Sequence, residues 1–194
     1  MKKKTTFLSI QELTIGGLFS ALIAAGAFLK ITLPTEPVPM HFTLQWFFVL
    51  LAGLLLEKRL AMASVGVYLL VGLAGVPVFA SGGGLSYLLR PTFGYLIGFA
   101  VAAYVMAWLR EWSGTWKFIK LLFISVVGLL VYYGIGMFYY FLICRFLLFQ
   151  EVTWKILLFH CFLLTVEADF LLCVAAITVA VKLRGIVKSI LLVP

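Results

Sequence analysis

FASGGGLSYLLRPTFGYLIGF, residues Phe79–Phe99, is a polar interruption in a chain that otherwise reads as almost continuous apolar helix. It carries three successive glycines (Gly82–Gly84), two serines, Tyr87 and one arginine, Arg90, before Pro91 marks the return to apolar residues. On either side of it the 194-residue chain is 64% hydrophobic and only 11% charged, with a mean hydropathy of +1.18. A soluble domain is about half apolar and a quarter charged, so the bilayer is the matching solvent. A spanning helix needs roughly 20 apolar residues, and with short loops the length accommodates about six. It leaves no room for a separate catalytic or nucleotide-binding domain. Broken at charges, glycines and prolines, the chain divides into spans of about 13–29, 42–56, 60–73, 95–109, 118–144 and 156–181. These form one all-α domain, a six-helix membrane bundle over residues 1–194.

Six spans put the N-terminus, the loops after the second and fourth spans, and the C-terminus on one side. That side holds eleven of the 15 basic residues: Lys2, Lys3, Lys4, Lys58, Arg59, Arg110, Lys117, Lys120, Lys182, Arg184 and Lys188. Lys30, Arg90, Arg145 and Lys155 fall on the other. Positive charge stays cytoplasmic, so both termini are expected inside and the Gly82–Gly84 loop outside. The net charge of +8 is read as topology rather than as a nucleic-acid footprint. A cleaved signal peptide is disfavoured, because Gln11 and Glu12 interrupt the first apolar run and cleavage would leave five spans. Cys144, Cys161 and Cys173 lie in apolar runs without metal or disulfide spacing, and His41 and His160 form no ligand motif. No metal site and no catalytic set is expected.

Polar groups at membrane depth are costly and mark function or pairing. Asp169 and Glu167 begin the last span, but residues two apart on a helix point about 200° apart, so both cannot face one site. Asp169, Gln45 at the start of the second span, Arg90, Lys30, Ser81, the Gly82–Gly84 backbone and Tyr95 together suit a small ligand with a carboxylate at one end and N–H donors at the other. Carboxylate pairing with Arg90, Arg145 or Lys155, and core packing for the tyrosines, are the structural alternatives. Gly17, Ala21 and Ala25 recur every four residues and share one face of the first helix. That face suits close helix approach, either to this protein's own helices or to a partner membrane protein.

ITLPTEPVPMHFTLQWFFVLLAGLLL (Ile31–Leu56), VYLLVGLAGVPVFASGGG (Val67–Gly84) and RPTFGYLIGF (Arg90–Phe99) resemble the BioY family. Its members are biotin-binding S-components of energy-coupling factor (ECF) transporters. The likeness is specific from Gly17 to about Ala103, with Asp169 the one matching position in the later spans. It implies a six-helix bundle in the bacterial plasma membrane, with biotin bound near the outer face under the first and third loops. It also implies that the chain is no enzyme and has no cofactor. ATP would be hydrolysed by two ATPase subunits acting through a transmembrane coupling protein, which the Ala21 and Ala25 face would dock. Asp169 would accept the ureido N–H groups, Tyr95 would pack on the fused rings, and Arg90 or Lys30 would hold the tail carboxylate. The chain departs from the family pattern at EADFLL (Glu167–Leu172), where Glu167 replaces a proline and Leu172 a lysine. A stand-alone proton- or ion-coupled transporter using Asp169 and Glu167 is the alternative reading.

Overall fold

A computed structural model describes residues 9–33, 40–149 and 158–192. The described residues hold six α-helices: α1 (Ile10–Phe28), α2 (Gln45–Leu55), α3 (Lys58–Leu73), α4 (Phe93–Ser113), α5 (Phe118–Phe146) and α6 (Leu164–Leu192). Strands β1 (Lys30–Leu33) and β2 (Met40–Thr43) pair antiparallel between α1 and α2, with Lys30 opposite Thr43 and Thr32 opposite His41. A 3₁₀ turn covers Leu85–Leu89 and a π-helical turn Phe159–Leu163. Four helices, α1, α4, α5 and α6, are long and apolar enough to cross a membrane.

Helix α1 begins where Ser9 and Glu12 satisfy each other's backbone. The Ser9 N–H donates to Glu12 Oε2 at 2.6 Å and the Glu12 N–H donates to Ser9 Oγ at 3.2 Å. Glu12 is therefore the partner of a capping box rather than a break in the span. Helix α2 has only 11 residues, nine of them buried, and packs against α1, α4 and α6. Apolar on all sides, it is the interior helix of the bundle. At about 1.5 Å per residue it is too short to cross the hydrocarbon core alone. Its far end is tied down by α4. Arg110 Nη2 donates to Leu56 O at 2.9 Å, and the Lys58 N–H and Nζ donate to Glu111 at 2.9 and 3.0 Å. The charged break Glu57–Arg59 thus makes a tight turn pinned by Arg110 and Glu111, 54 and 53 positions from their partners. Gly114, at φ +58°, ends α4 in the left-handed conformation.

The core runs through α2 to the facing sides of α3, α4, α5 and α6, while large apolar side chains such as Phe123, Leu130 and Phe138 on α5 stay exposed. That inside-out surface fits a lipid environment. Helices α4 and α5 approach closely. A Cβ on Gly98 would sit 2.8 Å from Tyr132 O, and one on Gly136 would overlap the Tyr95 ring at 2.1 Å.

The described residues are mostly helical, as expected, and three details differ from the sequence reading. A short β1–β2 hairpin is present, so Phe42 and Thr43 belong to β2 and α2 starts at Gln45. The last helix runs eleven residues beyond 181, to Leu192, and residues 156 and 157 of the expected sixth span lie outside the described residues. Helix α4 extends four residues past 109, carrying Arg110 and Glu111 into the turn contacts above.

Candidate binding site

A buried cavity of about 60 Å³ lies where the N-terminal ends of α2, α4 and α6 meet the middle of α5, beneath the β1–β2 hairpin and the loop after α3. Asp169 and Thr165 line it from α6, Tyr132 from α5, Gln45 and Trp46 from α2, and Tyr95 and Phe99 from α4. His41, Phe42 and Thr43 close it from β2.

Asp169 is buried, at 2% exposure, and Glu167 is exposed, so the 200° separation resolves with Asp169 inward. The Asp169 carboxylate is held by Tyr133, whose O–H donates to Oδ2 at 2.6 Å. A phenol has one proton, so the 2.6 Å contact between Tyr133 O and Thr165 Oγ1 has the threonine as donor. The carboxylate therefore sits at the end of a fixed Thr165–Tyr133–Asp169 chain. Gln45 is also committed. Its Nε2 donates to the Tyr68 hydroxyl at 2.6 Å and its Oε1 accepts from Thr43 Oγ1 at 3.2 Å. Above Asp169 the Tyr132 ring stacks on Trp46 (4.8 Å, 20°) and on Phe99 (5.0 Å, 29°). Tyr95 meets both Tyr132 and Tyr133 edge-on, at 5.5 and 6.2 Å. Flat aromatic faces beside one buried acceptor can clamp a compact ring bearing N–H donors.

The glycine loop is engaged in backbone contacts of its own. The Gly82 and Gly84 N–H groups donate to Phe79 O at 3.2 Å and Gly72 O at 2.8 Å, and Gly82–Gly84 do not line the cavity. Gly83 is required by space, since a Cβ there would lie 2.3 Å from Val76 O; Gly84 is required by its φ of +96°. The loop wraps Phe79, whose ring touches Tyr68 and Tyr87. It is joined to the hairpin by His41, which contacts Ser81 Oγ through Nε2 at 2.7 Å and Thr32 Oγ1 through Nδ1 at 3.0 Å. Lys30 Nζ adds a hydrogen bond to Ala80 O. Burial, then the Lys30 and Arg90 charges, hold the His41 pKa below the ordinary imidazole value.

Of the expected site residues, Asp169, Gln45 and Tyr95 come together on the cavity. Ser81, Lys30 and Arg90 belong to its cover, with Arg90 exposed and 5.2 Å from the Tyr87 ring centroid. The sequence left Tyr132 and Tyr133 open between stacking on a ligand and core packing, and it did not single out Trp46, Thr165 or His41 as binding groups. Among the described residues no cluster of three or more His, Cys, Asp or Glu could hold a metal ion. His160 and Cys161 have no described side-chain surroundings.

Among the described residues nothing packs closely on the small-residue face of α1. Gly17, Ala21 and Ala25 are exposed, and a Cβ on Gly17 would meet nothing within 4 Å. The adjacent register packs inside: a Cβ on Gly16 would lie 3.1 Å from Leu60 Cδ1, and Ser20 Oγ donates to Ser64 O at 2.6 Å.

Comparison with known proteins bears on the family and the fold. A probable biotin transporter BioY of Lysinibacillus sphaericus is 39% identical over 93% of this chain and 90% of its own length. The biotin transporter BioY of Thermotoga maritima is 42% identical over 66% of this chain and 73% of its own. A crystal structure of the S-component for biotin from an ECF-type ABC transporter shares the fold at 22% identity, with a TM-score of 0.77, covering 94% of this chain and 95% of that one. The BioY family model matches residues 1–189, and the chain belongs to the BioY family.

Proposed function

We propose that this chain is a membrane S-component that binds biotin in the Asp169 cavity and delivers it on an ATP-driven coupling module. The observation that carries the reading is the buried carboxylate of Asp169, fixed by Tyr133 beneath the stacked rings of Trp46, Tyr132 and Phe99. In this reading Asp169 accepts the ureido N–H groups, the aromatic faces enclose the fused rings, and the tail reaches the cover, where Arg90 or Lys30 meets its carboxylate. The names of the relatives, biotin transporters, support it. A cavity of about 60 Å³ is far below the roughly 300–1,000 Å³ typical of ligand pockets, so the hairpin and loop must part for the ligand to enter. His41, Ser81 and Lys30 are then the contacts that break and re-form. Six crossings, with α2 and α3 as the short ones, and cytoplasmic termini in a bacterial plasma membrane are the topology this function needs; the eleven-to-four split of basic residues supports it. The exposed Gly17, Ala21 and Ala25 face supports docking on a coupling protein that works with two ATPases. A carboxylate-coupled transporter is less well supported, because Glu167 is exposed and turned away from Asp169.

Calorimetry of the purified protein with biotin and with its alcohol analogue tests the reading. Saturable binding of biotin, weakened in the analogue, is expected. An absence of heat with biotin would remove the assignment, and Arg90→Ala with undiminished affinity would remove Arg90 from the carboxylate.

A further inference from the structure

The end of the bundle away from the Asp169 cavity carries a second, larger cavity of about 700 Å³. It is framed by the start of α1, the α2–α3 turn, the end of α4 and the last turns of α6. Three cations face it, Arg110, Arg184 and Lys188, against two carboxylates, Glu12 and Glu57. Three cations against two carboxylates leave the lining electropositive, and Glu12 is held in the capping box with Ser9. The cations are organised around Trp116: the Arg110 and Arg184 guanidinium carbons lie 5.7 and 5.4 Å from its ring centroid. Arg110 is anchored by one nitrogen, Nη2, to Leu56 O, while its Nε is buried without a hydrogen-bond partner. A buried unsatisfied donor on a guanidinium is rare and calls for an acceptor.

We propose that this cavity is a binding site for the phosphate of an anionic membrane lipid, held by Arg110, Arg184 and Lys188 around Trp116. The guanidinium fork matches phosphate oxygens, and stacking on the indole holds two such groups in place at little entropic cost. The occupant is an amphiphile rather than a free ion on two grounds. The lining also includes the apolar side chains of Leu55, Leu60 and Val187, and 700 Å³ far exceeds the needs of a single phosphate. The site also lies at interfacial depth, where α4 ends in the exposed Trp112 and α5 begins with the exposed Phe118, an aromatic collar of the kind found at headgroup level. Basic pockets between membrane helices are suited to anionic headgroups. The excess of one cation over the carboxylates favours a net-negative lipid over a zwitterionic one. The site is independent of the biotin assignment and rests only on the chain's residence in a membrane.

The test is a titration of the detergent-purified protein with phosphatidylglycerol, phosphatidylcholine and inorganic phosphate, read as thermal stabilisation. It compares the native chain with an Arg184→Gln/Lys188→Gln double variant. Both residues are exposed, so the variant folds, and its biotin calorimetry should match that of the native chain. Phosphatidylglycerol should stabilise the native chain, with phosphatidylcholine weaker. Each lost charge should weaken binding about fivefold, or about 25-fold for the pair. Equal lipid affinity in native chain and variant overturns the proposal, as does stabilisation by inorganic phosphate as strong as that by lipid. It is also overturned if the variant keeps full lipid affinity but no longer associates with the ATP-driven module, which would make this face a protein contact.

Discussion

Replacing Asp169 by Asn sets two energies against each other, and they act on different observables. In the free protein a carboxylate at membrane depth costs about 3 kcal/mol, and the Tyr133 O–H bond at 2.6 Å returns about 1.5–3 kcal/mol of that, with Tyr132 as a second partner. Asparagine has the same shape and keeps an acceptor for Tyr133, so the variant loses part of the bond and all of the charge burial. Its melting temperature in detergent should be unchanged or raised. Biotin binding moves the other way. The ureido N–H groups lose a charge-assisted partner, and the new amide presents a donor where the ligand also donates. A loss of about 2–3 kcal/mol, or roughly 30- to 150-fold in Kd, is expected. Calorimetry and a thermal melt on the same preparation read both quantities. A fall in affinity accompanied by an equal fall in stability would make Asp169 a structural group, and an undiminished affinity would remove it from the site.

Gly98→Ala places a Cβ 2.8 Å from Tyr132 O and 3.1 Å from Tyr132 Cα, both backbone atoms, so α4 and α5 must separate. Stability should drop by about 1–3 kcal/mol with a parallel loss of biotin affinity, whereas Gly134→Ala, which meets nothing within 4 Å, should leave the melt no lower. Gly17→Leu with Ala21→Leu should leave biotin affinity unchanged and the melting temperature equal or higher while reducing recovery of the ATP-driven module in a pull-down; undiminished recovery refutes docking through this face. The His41 contacts make closure pH-dependent. With its folded pKa depressed by burial, Lys30 and Arg90, neutral His41 stabilises the closed cover above the open-state value of about 6.5, and that stability is lost as pH falls through the lower closed-state value. Biotin dissociation should therefore accelerate as pH falls from about 7 to about 5.5, and His41→Gln should flatten the profile; parallel profiles for the two proteins would exclude the latch.

The apolar helices were legible, and α1, α4, α5 and α6 are long enough to cross a membrane, because lipid demands continuous apolar residues and this demand is written locally. The hairpin was not, because its strands have four residues each, too short for the apolar–polar alternation of Met40–Thr43 to stand out beside the long apolar run of α2. What ends the strand is tertiary: Thr43 and Tyr68 hold the Gln45 side chain as α2 begins. In the site, Asp169 and Gln45 stood out as polar groups in apolar runs. Tyr132 and Tyr133 did not, since nothing local distinguishes them from Tyr139 and Tyr140; only the approach of α6 gives Tyr133 its carboxylate. In the glycine loop the sequence carries two meanings at once. Glycine signals either an exposed amide or a tight fit, and at Gly83 the structure has the tight fit against Val76 O.

Helix α1 shows how adjacent residues of one type acquire separate roles. Gly16 and Gly17 differ by about 100° of helical rotation, so a helix that buries one must turn the other outward. The inner register is fixed by Ser20, whose hydroxyl reaches Ser64 O, and by Leu60 against Gly16. Folding is satisfied by that face alone. In lipid, an outward Gly17, Ala21 and Ala25 then forgoes the dispersion contacts that larger apolar side chains would make, and Gly17 weakens the helix by about 1 kcal/mol relative to alanine. A face that is costly to the helix and unused by the fold makes physical sense when a second helix packs flat against it, since small residues gain their contact energy only at close approach. The same argument gives the direction of engineering: larger apolar residues at 17 and 21 should strengthen the isolated subunit in lipid and weaken its assembly.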